Sequence, residues 1–154
     1  MYVIIVGCGR VGSALAMLLS QEGHEVTVID INPAQFERFL GDDFNGNTIV
    51  GDGIDIDVLR QAEIERADAF VTATSGDNHN LMAAQIAQRI FKVPRVVARC
   101  NDPIRGATYE KLGLRMVIPT TIGAQYLHRA IMEEPASTGP QVMGDSQPPA
   151  GVDG

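Results

Sequence analysis

Short runs rich in Val and Ile alternate with longer segments of helical period along this chain of 154 residues, and that alternation limits the fold more than any other feature. The runs are Tyr2 to Val6, Glu25 to Asp30, Asn47 to Val50, Ala69 to Thr74, Arg95 to Arg99 and Arg115 to Ile118. Strands separated by helices do not pair as tight hairpins; crossovers join them into a parallel sheet. Their near-continuous apolar character, in place of strict alternation, requires helices on both faces. The expected fold is therefore α/β: a Rossmann-like, doubly wound sheet of six parallel strands in the order 3-2-1-4-5-6.

The helical segments carry their own start and stop signals. Val11, Leu15, Leu18 and Leu19 set an apolar stripe on the first helix, and Gly23 is placed to end it in a left-handed cap. Asn32 with Pro33 reads as N-cap and first helical residue ahead of Phe36, Phe39 and Leu40, and Asp102 with Pro103 repeats the device. Asp55 and Asp77 are expected caps, the second for a helix that presents Met82, Ile86 and Ile90. Thr120 or Thr121 opens a last helix that runs to about Glu133. Residues 1–133 thus read as one α/β domain. The segment from Pro135 onward holds four prolines and four glycines with almost no large apolar side chain, so 134–154 is expected to be a flexible tail or linker.

Gly7, Gly9 and Gly12 form the pattern G-x-G-x-x-G between the first strand and the first helix. In that setting Gly7 permits the tight turn, Gly9 lets a pyrophosphate approach the backbone, and Gly12 lets the helix pack on the strand. The helix N-terminus presents unpaired N–H groups and a partial positive charge to phosphates. Arg10 adds a guanidinium fork, and Cys8 lines the loop as a small residue. Asp30 ends the second strand, eighteen residues beyond Gly12, where a carboxylate accepts from ribose hydroxyls and repels a 2′-phosphate. An adenosine nucleotide such as NAD is expected in preference to NADP.

In a doubly wound sheet the ligand lies over the carboxyl ends of the strands, which restricts the remaining candidates. Ile31 follows Asp30; Asp52 and Gly53 follow the third strand; Ala73, Thr74 and Ser75 close the fourth; Arg99 closes the fifth. Asp52 can accept from an adenine amino group, and Thr74 and Ser75 can bond ribose or phosphate oxygens.

Other chemistries are disfavoured. Nineteen carboxylates against twelve Lys and Arg give a net charge of -7, which opposes nucleic acid as a partner. Cys8 and Cys100 belong to no paired or zinc-type spacing, which suits a reducing, cytoplasmic compartment. The opening MYVIIVG has no basic segment ahead of it and is far too short to span a bilayer. Asp52, Asp55 and Asp57 lack the remaining ligands of a calcium loop, so no metal site is expected. His24, His79 and His128 are scattered and read as surface or capping residues.

Taken in order, GCGRVGSALA, Asp30, GDG at 51–53, ADAFVTATSGDNHNL and PRVVARCNDP resemble the nucleotide-binding regulatory domain of Trk and Ktr potassium-uptake systems, the RCK or KTN domain. The similarity covers residues 1–133. It implies a cytoplasmic, non-catalytic subunit, peripheral to the inner face of the membrane, that binds NAD(H) or ATP/ADP and gates a separate potassium-transporter subunit. On the family pattern Gly7, Gly9, Arg10, Val11, Asp30, Asp52, Thr74 and Arg99 contact nucleotide, with Asn78 a further contact. The resemblance also implies a homodimer or higher homo-oligomer built through the helix at about 121–133. Some members carry Pro-Glu after the sixth strand and use the Glu around a cation; here Thr120 follows Pro119, so that site is not expected. A small NAD-dependent oxidoreductase, or a fragment of one, is the alternative. It would need further groups to hold a substrate against the nicotinamide.

Overall fold

A computed structural model of the protein describes residues 1–135. The expected tail, 134–154, lies almost wholly outside the described residues. The chain separates into two compact units, Met1–Pro119 and a second that begins at Thr120.

The first unit is built on six strands: β1 (Tyr2–Val6), β2 (Glu25–Asp30), β3 (Asn47–Val50), β4 (Ala69–Thr72), β5 (Arg95–Arg99) and β6 (Arg115–Val117). All pairings are parallel, as the alternation of apolar runs requires, and the order is the expected β3-β2-β1-β4-β5-β6. The helices are α1 (Arg10–Gln21), α2 (Ala34–Phe39), α3 (Ile56–Gln61), α4 (Asp77–Gln85), α5 (Pro103–Lys111) and α6 (Pro119–Met132). A 3₁₀ turn at Ile64–Arg66 follows α3, and a π-helical turn at Ile86–Ile90 continues α4.

All five residues of β1 are buried, because the central strand is covered on both sides. Ile4 and Val6 enter one core with Leu59, Ile64, Phe70 and Leu81. Val3 and Ile5 enter the other with Ala16, Val26, Val28 and Leu40, against which Phe36 and Phe39 pack. The period-2 alternation of the strand thus sorts neighbouring residues into opposite layers.

Several expected boundaries shift for identifiable reasons. β4 stops at Thr72 instead of Thr74, because the Thr74 amide turns to the Asn80 side chain. β6 ends at Val117 instead of Ile118, and Pro119 itself begins α6 ahead of Thr120 and Thr121. Proline suits that place, since the first helical N–H has no intrahelical partner anyway. Asp55 and Asp102 cap as expected, accepting from Asp57 N–H at 2.8 Å and from Ile104 N–H at 2.9 Å. Asp77 does not cap α4: it is the first helical residue, and its carboxylate accepts from the amides of Asn101 and Asp102 at 2.8 and 3.0 Å.

The first helix shows the largest departure. Val11 and Leu18, expected in its buried stripe, are 50% and 59% exposed, while Gly12, Ser13 and Ala16 face inward. The helix lies so close to β1 that a Cβ on Gly12 would stand 1.8 Å from the Gly7 carbonyl oxygen. Small residues must occupy the contact, and the larger ones are rotated to its flanks. The C-terminus behaves as read: Gly23 has φ +83°, and Gly23 and His24 donate back to the carbonyls of Ser20 and Leu19 in a Schellman motif. Similarly, α4 buries Asn80, Leu81, Ala83 and Ala84, leaving Met82 52% exposed; of the other two expected residues Ile86 packs against the core, and Ile90, at the end of the π-helical turn, is 61% exposed.

Gly12→Ala is expected to destabilise the protein by at least about 2 kcal/mol in urea unfolding, since backbone cannot yield as a side chain does. Gly9→Ala, whose Cβ meets nothing within 4 Å, should stay within about 1 kcal/mol of the parent.

Candidate functional site

At the carboxyl ends of the strands lies a cleft of about 730 Å³, in the size range of clefts that hold cofactors. It opens where the sheet order reverses, between β1, whose chain runs on into the glycine loop, and β4. Gly7 makes the turn out of β1 with φ +105°, and a Cβ there would meet the Thr74 nitrogen at 2.8 Å. Gly7 N–H donates to Ile29 O at 2.8 Å, which binds the loop to β2.

Asp30 reinforces that attachment. One carboxylate oxygen accepts from the Cys8 amide at 2.7 Å and the other from the Asn32 amide at 2.9 Å. Each oxygen keeps a second lone pair, so the carboxylate is held at the cleft wall with acceptor capacity left. Cys8 is consequently committed elsewhere: its amide serves Asp30, and its thiol is buried over α2, 3.7 Å from the Gln35 carbonyl. Burial, with Asp30 adding to it, pushes that thiol up to about 11, so it stays protonated and unreactive near neutral pH.

The amides at the start of α1 are left open. Gly9 is the N-cap and lines the cleft, and the N–H groups of Gly9, Arg10 and Val11 have no partner among the described residues. They supply aligned donors with the positive end of the helix dipole behind them. Arg10 also lines the cleft, with its guanidinium carbon 5.8 Å from the centre of the Phe39 ring. Arg99 enters from the end of β5, and its Nε is buried with no partner among the described residues.

A buried amide that sequence reading missed sets the opposite wall. Asn80 is wholly buried; its Oδ1 accepts from the amide and hydroxyl of Thr74, and its Nδ2 donates to the carbonyls of Thr74 and Arg99. It therefore clamps the ends of β4 and β5 to α4. Thr74 lines the cleft, but its hydroxyl proton is given to Asn80 and its oxygen accepts from Gly76 N–H. Nothing in helical periodicity distinguishes this Asn from an apolar core residue.

Of the residues read from sequence, Gly7, Gly9, Arg10, Val11, Asp30, Ile31, Gly53, Ala73, Thr74, Ser75 and Arg99 line the cleft. Gly12 packs behind it, and Asn78 lies off its wall, accepting from Arg105 at 2.7 Å. Asp52 also lies off the lining, whereas His79 lines it, with Nε2 at 2.5 Å from Asp52 Oδ1. The sequence reads His79 as a surface or capping residue; its partly exposed side chain faces the cleft. Val6, Asn32, Gln35, Gly51 and Gly76 complete the wall.

Burial raises Asp52, yet its hydrogen bonds from His79 and the Ile54 amide, with the His79 charge, hold it below the ordinary carboxylate value. At Asp77 burial is likewise outweighed, here by the Asn101 and Asp102 amides, the Cys100 thiol and Arg105.

A family profile described as the TrkA-N domain matches residues 3–120. The chain belongs to the TrkA-N family. Among relatives, the Trk system potassium uptake protein TrkA of Streptomyces coelicolor is 46% identical over 132 residues, which cover 86% of this chain and 59% of that protein. The TrkA-N chain described here thus spans only part of the relative's length. Among solved structures, the Shewanella denitrificans Kef CTD in AMP-bound form superposes with a TM-score of 0.74 at 25% identity, covering 87% of this chain and 83% of that one. A GsuK structure bound to ADP gives a TM-score of 0.72 at 25% identity, over 85% of this chain and 34% of that one.

Because the folded-state value of Asp77 is depressed, its contribution to stability is complete above the unfolded carboxylate value and disappears as pH falls through the lower folded one. Asp77→Asn should lower stability by about 1–3 kcal/mol near pH 7. Chemical denaturation measured from pH 7 down to pH 2 should show the gap closing, the parent losing more stability than the variant.

Proposed function

We propose that this chain is the nucleotide-sensing domain of a cytoplasmic regulator that sits at the inner face of the membrane and gates a potassium-transporter subunit. The ligand is an adenosine nucleotide, NAD(H) or ATP/ADP, and the role is non-catalytic. One observation carries the reading: a cleft whose wall carries unpaired helix N-terminal amides and, anchored on the same glycine loop, the Asp30 carboxylate. Free N–H donors together with a carboxylate acceptor suit a phosphate bound to a ribose. Arg10 and Arg99 add positive charge on the phosphate side. The resemblance to a potassium-uptake protein, and to structures bound to AMP and ADP, supports the same conclusion. Among the described residues no helix is long and apolar enough to cross a membrane.

Gating follows from linkage. A nucleotide shifts the transporter only by binding one conformation of the assembly more tightly than another. Ligands that share an adenosine half and differ beyond the phosphates do this by engaging Arg10 and Arg99 differently.

Calorimetric titration with NAD, NADH, ADP and ATP tests the site. Asp30→Ala should weaken binding by about tenfold or more, because a charge-assisted hydrogen bond is lost. Undiminished binding would remove the ribose assignment, and substrate-dependent loss of NADH absorbance would favour the oxidoreductase alternative.

The homo-oligomer rests on α6, where Ile122, Tyr126, Leu127 and Ile131 are 44%, 44%, 68% and 80% exposed at helical spacing. Analytical ultracentrifugation of the parent should show a dimer or larger species, and Leu127→Glu with Ile131→Glu should shift it toward monomer.

A further inference from the structure

Histidine and aspartate meet at the cleft wall in a way that the ribose and phosphate assignments leave unused. His79 belongs to the first turn of α4, and Asp52 to the loop between β3 and α3. Their contact at 2.5 Å joins segments 27 residues apart in sequence. Asp52 Oδ1 also accepts from the Ile54 amide at 3.1 Å, so the carboxylate is fixed before it meets the imidazole. With Nε2 engaged by an acceptor-only carboxylate, the ring carries its proton there. The other ring nitrogen, Nδ1, is buried and has no partner among the described residues.

We propose that His79 is a nucleotide-contacting residue, that Asp52 is its positioning residue, and that the pair makes nucleotide affinity depend on pH. This rests on the nucleotide reading of the cleft given above. When the ring is neutral, the pair carries the one negative charge of Asp52. When the ring is protonated, the pair is neutral, and the cleft gains one positive charge relative to an anionic ligand. Histidine is the side chain whose ordinary charge change falls between pH 5 and 8. The other charged groups of this region are Asp30 at the end of β2, Arg10 on α1 and Arg99 at the end of β5, with Asp77 on the same helix. Both arginines stay charged throughout this range. Asp30 and Asp77 are held by backbone amides, and the carboxylate of Asp77 is turned to Asn101 and Asp102.

Two consequences separate this role from a structural tie between loops. By linkage, a ligand that binds the protonated form more tightly must raise the midpoint at which His79 titrates. A carboxylate that stabilises the imidazolium must also lower that midpoint when it is removed.

The test uses the full chain with NAD and with ADP. NAD is informative because its two phosphates are diesters and keep constant charge across the range; the terminal phosphate of ADP titrates, and the His79→Gln comparison subtracts that contribution. Affinity of the parent for NAD should weaken between pH 6 and pH 8 by up to about tenfold per unit of midpoint shift. His79→Gln should show a flat NAD profile, and Asp52→Asn should move the transition to lower pH. Proton NMR of the His79 ring in the parent, which needs no variant to fold, should show a higher midpoint when NAD saturates the site. A His79 midpoint unmoved by bound NAD, or parallel profiles in parent and His79→Gln, would overturn the role of His79 while leaving the cleft assignment standing. If neither nucleotide binds the parent at any pH, the reading of the cleft falls, and this one with it.

Discussion

The approach of α1 to β1 is the constraint on which the rest of the structure depends. With no side chain at Gly12, the helix start can settle against the Gly7 carbonyl, and with φ positive at Gly7 the chain can turn sharply enough to bring it there. Only then do the first amides of the helix point over the ends of the strands. The same contact explains why Gly12, Ser13 and Ala16 are the fully buried residues of the helix while Leu15 and Leu19 pack at the flanks of the contact, only partly buried. Packing density and ligand access are thus set by one pair of glycines, in keeping with the dense interiors of folded proteins.

Around that contact, polar groups hold the strand ends in register. Asp30 ties the glycine loop to β2, Asn80 ties β4 and β5 to α4, and Asp77 ties α4 to the loop after β5. Each is a side chain that satisfies backbone groups left over where a strand stops pairing, and a buried backbone group left unpaired is costly. The cleft is preorganised as a by-product: its wall is made of the same groups that close the strands. Asp52 and His79 extend the pattern across to β3.

Much of this architecture was legible beforehand. The six apolar runs, the parallel order, the glycine turn and Asp30 all follow from local rules: period, turn chemistry and the length of the crossovers. The caps at Asp55 and Asp102 were equally readable, since a short polar side chain before an apolar helix satisfies its own neighbours. Asp77 obeys no such local rule. Its partners are 24 and 25 residues away, on a segment that only folding brings near. Val11 and Leu18 were misplaced because an apolar stripe gives the phase of a helix but not its distance from the sheet.

Sequence alone determined the class of fold, the place of the cleft over the first crossover and the two groups that frame it, because these depend on residues adjacent along the chain. The tertiary structure decided which side chain stands in front at each wall. It put His79, in contact with Asp52, on the lining, gave the Thr74 hydroxyl to Asn80 and turned Asn78 toward Arg105. Those choices rest on contacts between segments whose separation in sequence carries no periodic signal, and their geometry exists only once the strands have been brought side by side.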